Sequence, residues 1–167
     1  MVALKAKLLL KSKGKERWVE AEDFFTGPFM NVLEPGEMLV EIKLPGLPPR
    51  TGTSYCQVAR QHGSAALVGV TAVVTMNKKN LCQEAKLVYF SVDVFPSIAH
   101  EAAKVLIGQK PTPELIKEAA RVASQKDVAE PTGDIHATSD YRRHLMDVLG
   151  ARALTTAFER ALKKGEA

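Results

Sequence analysis

The residues best placed to contact a ligand flank a run of small side chains at 62–66, His-Gly-Ser-Ala-Ala. A connection without bulky side chains lets a backbone or a flat ligand come close. Tyr55 could stack on an aromatic ligand and Arg60 could meet an anion. A strand tyrosine is more often packing, however, and an exposed arginine is more often a salt-bridge partner. From the residues alone, a tight connection inside a sheet is favoured over a ligand-facing corner.

Several standard sequence motifs of phosphate binding, metal binding and catalysis are missing. Neither type of Gly-rich phosphate loop occurs, the four histidines lack metal-ligand spacing, and no Ser-His-Asp order can be assigned. Asp134 with Arg142 and Arg143 is interpreted as a structural ion-pair latch. Cys56 and Cys82 fit neither a disulfide framework nor a metal site, so we expect buried free thiols. We therefore predict no catalytic residue and no metal ligand.

Alternating side chains predict that the small-residue run joins two strands. Over 51–61, Tyr55 and Gln57 share one face of the first strand. Residues 67–76 are rich in Val and Thr, which is typical of a covered strand. A third long strand is predicted over 81–95.

Three helices are predicted after these strands, over 98–107, 112–125 and 139–162. Thr112 followed by Pro and Glu is a strong helix start. Gly150 in the last helix would let another element approach. Strands followed by helices predict an α+β fold, an antiparallel β-sheet with three helices packed on one face.

The N-terminal part predicts a hairpin over 4–19, a strand over 38–44 and a stiff Pro-rich connector at 45–49, a candidate domain boundary. Three phenylalanines are expected to plug an edge of the core: Phe24, Phe25 and Phe29.

Composition excludes several classes of protein. Hydrophobic residues make up 46% and charged residues 25%, as in an ordinary soluble globular protein. No apolar run approaches the length of a membrane helix, and the N-terminal apolar patch is too short and too charged for a signal peptide, so a cytoplasmic location is expected.

The net charge is +4. Its excess lies in a basic N-terminal run that could bind nucleic acid, but we favour an edge strand because no aromatics interleave with it. The run comprises Lys5, Lys7, Lys11, Lys13, Lys15 and Arg17.

Six different short segments occur along the chain in a specific order, although each one alone is weak evidence for a family. They are Glu-Ala-Glu-Asp-Phe-Phe-Thr-Gly-Pro at 20–28, Leu-Glu-Pro-Gly-Glu-Met-Leu-Val-Glu-Ile at 33–42, Ser-Tyr-Cys-Gln-Val-Ala-Arg at 54–60, Ala-Leu-Val-Gly-Val at 66–70, Phe-Pro-Ser at 95–97 and Gly-Asp-Ile-His-Ala-Thr-Ser-Asp-Tyr-Arg-Arg-His-Leu at 133–145. Together they resemble the C-terminal portion of the FAD-binding (medium) subunit of molybdenum hydroxylases, the family of aerobic carbon monoxide dehydrogenase and xanthine dehydrogenase. The resemblance covers essentially the whole chain.

The resemblance implies a division into 1–48, the tail of the FAD-binding domain, and 49–167, a domain like the C-terminal domain of the CO dehydrogenase flavoprotein. It implies that Tyr55 lies against the isoalloxazine ring of FAD and that Arg60 and Ser64 also bind the cofactor. In the family, FAD receives electrons from the [2Fe-2S] clusters of a small subunit, which take them from the molybdenum cofactor of a large subunit. The small [2Fe-2S] subunit and the large molybdenum-cofactor subunit would both be partners of this chain.

The chain also departs from the family pattern. Both pyrophosphate-binding loops of the family are absent, so we expect a fragment or a split subunit whose partner supplies the N-terminal FAD-binding half. At the flavin-facing turn, Ser64 and Ala65 replace an Asp and an aromatic residue, and His136 replaces an Arg. A non-catalytic interaction module that has lost flavin is therefore the alternative from another class.

Overall fold

The computed structural model describes residues 1–164, in which strands dominate the first part and helices the second. Each paired strand is antiparallel to its neighbour. The strands are β1 (Lys7–Ser12), β2 (Lys15–Glu20), β3 (Phe25–Gly27), β4 (Met30–Asn31), β5 (Met38–Lys43), β6 (Thr51–Ala59), β7 (Ala66–Met76), β8 (Cys82–Phe90) and β9 (Ser97–Ile98). The helices are α1 (Ala21–Phe24), α2 (His100–Leu106), α3 (Pro113–Val122) and α4 (Ser139–Lys163).

The larger sheet has the strand order β6-β7-β8-β9. The central strand β7 turns Val68, Val70, Ala72 and Val74 towards α2, α3 and α4, which together cover one face of the sheet. The predicted fold class, an antiparallel sheet with three helices on one face, is confirmed.

Two glycines allow α4 to lie close to the sheet. A Cβ on Gly52 of β6 would sit 1.8 Å from the carbonyl oxygen of Ala157, so only glycine fits there. A Cβ on Gly150 of α4 would sit 2.2 Å from the hydroxyl oxygen of Tyr89. The prediction that Gly150 lets another element approach is confirmed, and the approaching group is the fully buried Tyr89 of β8.

A wide π turn at Ala123–Asp127 ends α3 and gives α2 its cap. Both carboxylate oxygens of Asp127 accept hydrogen bonds at the start of α2, from the backbone N–H of Glu101 at 2.8 Å and of Ala102 at 3.0 Å. A carboxylate at that end satisfies unpaired N–H groups and the positive end of the helix dipole. The start of α2 is therefore tied to the end of α3.

The smaller sheet has the order β2-β1-β5, so the Lys-rich strand β1 is central. The prediction of an edge strand was wrong, because Leu8, Leu9 and Leu10 are all buried and a third strand from later in the chain pairs with β1. Lysines of the basic run pair with acids instead, Lys7 with Glu20 and Lys11 with Glu16, each at 2.8 Å.

Two other local predictions need correction. The strand predicted over 81–95 ends at Phe90, because Ser91 has a left-handed backbone with φ 61° that breaks the alternation. Phe29 does not plug the core as Phe24 does; it is fully exposed at the tip of the β3–β4 hairpin, also with a positive φ.

Candidate functional site

Tyr55 projects from β6 on the sheet face opposite the helices, and 58% of its surface is exposed. Its ring stacks on Phe90, with ring centroids 5.7 Å apart and planes 17° from parallel. Its hydroxyl donates a hydrogen bond of 2.6 Å to Gln57 Oε1. The ring is thus held in one orientation while much of its surface stays open.

Gly69 of β7 makes this pair of rings possible. Gly69 lies between Gln57 of β6 and Phe90 of β8 in the strand register. A Cβ on Gly69 would sit 1.9 Å from Phe90 Cζ, so the Phe90 ring covers bare backbone and reaches towards Tyr55.

Around these rings lies an open cleft of about 430 Å³, called here the aromatic cleft. Its floor is the sheet, where Tyr55, Thr71 and Val88 form one row across three strands. The short 3₁₀ helix Val2–Leu4 forms one wall. A surface of this composition suits a flat aromatic ligand.

Arg60 and Ser64 border a different cleft of about 440 Å³, called here the arginine cleft. Arg60 Nη1 lies 2.8 Å from His136 Nδ1. Because a guanidinium only donates, this ring nitrogen accepts and the His136 ring is neutral in the contact. The lining residues are Arg60, Gln61, Ser64, Ala65, Ala66, Leu67, Asp134, His136 and Arg142.

The predicted ion-pair latch is present for Arg142 but not for Arg143. Arg142 is 5% exposed, forms a salt bridge with Asp134 and donates to the carbonyl oxygens of Leu67 and Ser91. Hydrogen bonds from the backbone N–H groups of His136 and Ala137, together with Arg142, hold the pKa of Asp134 below its usual value. Arg143 pairs with Asp140 on the surface of α4 instead.

The three predicted site residues therefore do not form one site. Arg60 and Ser64 lie together, whereas Tyr55 lines a cleft that shares no lining residue with theirs. Sequence reasoning missed Phe90 as the partner of Tyr55. The available signal was an isolated glycine in a strand, which marks a close approach by another group.

Cys56 and Cys82 are free thiols, as predicted, but only Cys82 is buried, while Cys56 is half-buried. Burial raises the pKa of the Cys82 thiol to about 11. Within the described part of the chain, no cluster of three or more His, Cys, Asp or Glu could hold a metal ion. Across residues 1–164, no helix has both the length and the hydropathy to cross a membrane.

Family comparisons divide the chain into two matched segments. Residues 53–157 match the CO dehydrogenase flavoprotein C-terminal domain, and residues 1–47 match the FAD binding domain in molybdopterin dehydrogenase. The glyceraldehyde dehydrogenase medium chain of Sulfolobus acidocaldarius is 36% identical over 92% of this chain and 53% of its own length. The carbon monoxide dehydrogenase medium chain of Hydrogenophaga pseudoflava is 29% identical over 95% of this chain and 54% of its own. The chain thus spans about half the length of the curated relatives it matches.

Solved structures agree with this assignment. A carbon monoxide dehydrogenase from Hydrogenophaga pseudoflava that lacks the Mo-pyranopterin moiety of its cofactor matches with a TM-score of 0.88 and 28% identity, over 95% of this chain and 54% of that one. Quinoline 2-oxidoreductase from Pseudomonas putida 86 matches with a TM-score of 0.88 and 29% identity, over 97% and 55%. With its family segment spanning residues 53–157 and its fold matching these enzymes, the chain belongs to the CO dehydrogenase flavoprotein C-terminal domain family, within the FAD-binding subunits of molybdenum hydroxylases.

Proposed function

We propose that this chain is the C-terminal part of the FAD-binding subunit of a molybdenum hydroxylase-type oxidoreductase, and that its aromatic cleft covers the flavin ring. The observation that carries the proposal is Tyr55, an aromatic ring that is fixed by Phe90 and Gln57 yet more than half exposed. Aromatic side chains are usually buried unless they contact something, so an oriented, open ring is a ready stacking surface.

The residues present fit the isoalloxazine part of FAD. Tyr55 and Phe90 offer flat apolar surface, and Val2–Leu4 and Val88 close the cleft with further apolar side chains. Flavin, when bound, supplies the capacity to accept and pass on electrons. The role of this chain's own residues is to orient the flavin ring and to exclude water from one side of it. They do not themselves make or break bonds of the substrate.

The three longer helices offer the pyrophosphate of FAD no open N-terminus. The start of α2 is capped by the carboxylate of Asp127, that of α3 by Thr112 and that of α4 by Thr138. We therefore propose that residues outside this chain supply the phosphate-binding loops, and that Arg60 and Ser64 contact the cofactor only at a distance from the ring site.

The proposal extends to partners and to domain organisation. Medium chains of this family suggest a large molybdenum-cofactor subunit and a small [2Fe-2S] subunit as partners, with electrons passing from the [2Fe-2S] clusters through FAD to an acceptor. The division into 1–48 and 49–167 is supported by the two family matches, which lie on either side of residues 48–52.

The test is purification of the tagged chain with whatever it binds in its own cells, followed by measurement of FAD, iron and molybdenum per chain. We expect all three, and we expect Tyr55→Ala to lower the FAD content while the partner chains and metals still copurify. Tyr141→Ala is the matched control, because Tyr141 is an exposed tyrosine on α4, and it should leave FAD unchanged. A complex without flavin, or one whose flavin content is unchanged by Tyr55→Ala, would refute the proposal.

A non-catalytic interaction module remains the second candidate, and the exposed hairpin tip favours it. Phe29 and Met30 project into solvent beside Phe95, which is also exposed, so this end of the molecule offers an apolar contact surface. Copurifying protein partners without FAD would identify this function.

A further inference from the structure

The strand β5 is an open edge of the smaller sheet. The order β2-β1-β5 pairs it on one side only, with β1. The other side of an edge strand carries a row of backbone N–H and C=O groups onto which another strand can pair. Apart from the ladder with β1, no hydrogen bond among residues 1–164 reaches the backbone of Met38–Lys43.

The edge strand β6 of the larger sheet is protected, by contrast. Two of its backbone carbonyl oxygens accept hydrogen bonds from side chains of α4, that of Thr53 from Arg160 Nη1 at 2.7 Å and that of Thr51 from Lys164 Nζ at 3.3 Å. Charged side chains laid over an edge in this way keep a further strand from pairing there. The chain therefore covers the β6 edge and leaves the β5 edge open.

Apolar side chains line the open strand and the residue that follows it. Each is between 47% and 68% exposed, and they are Met38, Val40, Ile42 and Leu44. An exposed apolar row on an unpaired strand favours contact with another apolar surface, because contact removes the row from water. The backbone and the side chains of β5 thus both have unused capacity for contact.

The charges of this edge are complementary to themselves. Glu41 and Lys43 flank Ile42 with opposite signs, and neither has a partner within salt-bridge distance in the described chain. When two copies pair antiparallel with Ile42 opposite Ile42, each Glu41 lies opposite a Lys43, and each Val40 lies opposite a Leu44. Opposite charges and apolar pairs directly across two strands are stabilising, whereas the register centred on Glu41 would place like charges opposite each other.

We propose that β5 pairs with β5 of a second copy of this chain, antiparallel and centred on Ile42. The two three-stranded sheets then form one six-stranded sheet across a two-fold axis. Because the same surface serves both copies, the contact closes as a dimer and does not grow into a fibre. It includes no residue that lines the aromatic cleft or the arginine cleft, so the dimer does not depend on flavin binding.

The experiment is sedimentation velocity of the full chain over a wide range of concentration. We expect a reversible equilibrium between monomer and dimer, because a strand pair of this length buries less surface than a permanent interface. Glu41→Lys and Lys43→Glu should each raise the dissociation constant of the dimer about tenfold, since each change puts like charges opposite each other at both symmetry-related positions.

The double variant Glu41→Lys/Lys43→Glu is decisive, because it reverses both charges and restores opposite signs across the pair. We expect its dissociation constant to return close to that of the parent chain. Glu159→Lys is the charge-matched control, since Glu159 is an exposed glutamate on α4, and it should leave the equilibrium unchanged.

Two results would overturn the proposal. One is a chain that stays monomeric at every concentration, which would leave the β5 edge to a strand of a different protein. The other is a dimer that is unaffected by the two single variants or is not restored by the double variant, which would place the contact elsewhere on the molecule.

Discussion

At the scale of single residues, two tyrosines on the larger sheet lie in opposite environments. Tyr55 lies open on one face of the sheet, and Tyr89 is fully buried against α4 on the other. We expect Tyr55→Ala in the isolated chain to cost less than about 1 kcal/mol of unfolding free energy, as for an exposed substitution. Tyr89→Ala should cost about 3–5 kcal/mol because it opens a core cavity. Urea denaturation measures both, and a large loss for Tyr55→Ala would show it to be core packing.

Gly150 is the residue-scale test of how tightly α4 lies on the sheet. Gly150→Ala should destabilise the chain by about 1–3 kcal/mol, because its Cβ would overlap the Tyr89 hydroxyl. In a Tyr89→Phe background the same change should cost clearly less, since the overlapping oxygen is gone and the remaining tight contact is with Ala120 Cβ at 3.2 Å. Thermal unfolding of the four proteins gives the coupling, and independent, additive effects would contradict the contact.

The shared face of Tyr55 and Gln57 and the role of Gly150 were predictable, because the first follows from strand alternation and the second from a glycine inside a helix. The Tyr55–Phe90 stack was not predictable, because it depends on the pairing register that sets Gly69 beside Phe90. The separation of Arg60 from Tyr55 was missed for a similar reason, since closeness in sequence says little about which cleft a residue enters once the strand has ended.

At the scale of elements, an ion pair joins β2 to the turn before β5. Arg17 donates two hydrogen bonds of 2.8 Å to Glu37, whose side chain also accepts from the backbone N–H of Glu34. Together these contacts lower the pKa of Glu37 from 4.5 to about 2, and the hydrogen bonds from Arg17 make the largest contribution. Its folded-state pKa is depressed, so its contribution to stability is present above about pH 4.5 and is lost as the pH falls towards 2.

Glu37→Gln should therefore make the acid-induced fall in stability shallower between those two pH values. The measurement is unfolding free energy against pH for the variant and the parent chain. Glu16→Gln is the control, because Glu16 is an exposed glutamate paired with Lys11 on the same sheet. An unchanged pH profile for Glu37→Gln would show that the Arg17 contact is not maintained in solution.

Element types were predicted better than element ends. The three helices of the second part and the Thr112 cap were anticipated, because capping chemistry is local. The end of β8 at Phe90 was not, because Ser91 adopts a backbone conformation that its residue type does not announce. The central position of β1 was missed because β5, which pairs with it, comes later in the chain.

At the scale of the whole molecule, the capped helices lead to a prediction about colour. We expect the 167-residue chain purified alone to be colourless after gel filtration, because its sequence holds no Gly-rich phosphate loop and the N-termini of α2, α3 and α4 already carry side-chain caps. The visible absorbance spectrum measures this directly. A flavin spectrum near one FAD per chain would contradict it.

The charge distribution leads to a second prediction at this scale. Four of the six residues of the basic run, Lys5, Lys7, Lys11 and Arg17, each have a carboxylate partner, so most of the charge of the run is paired. Fluorescence anisotropy should show only weak binding of duplex or single-stranded DNA at low salt and none at physiological salt. Tight binding abolished by replacing these lysines with alanine would instead support a nucleic-acid function.

The close packing of α4 on β6 has a consequence for how the chain is made. Gly52 lies near the start of the larger sheet, yet the residues that cover it, Ala157 and Ala161, come more than a hundred residues later in the chain. Contacts between such distant parts of a chain close large loops and slow folding. On the ribosome, the strands of the larger sheet must keep their apolar face open until α4 has left the exit tunnel. The growing chain therefore needs protection from aggregation until α4 has been made and packed.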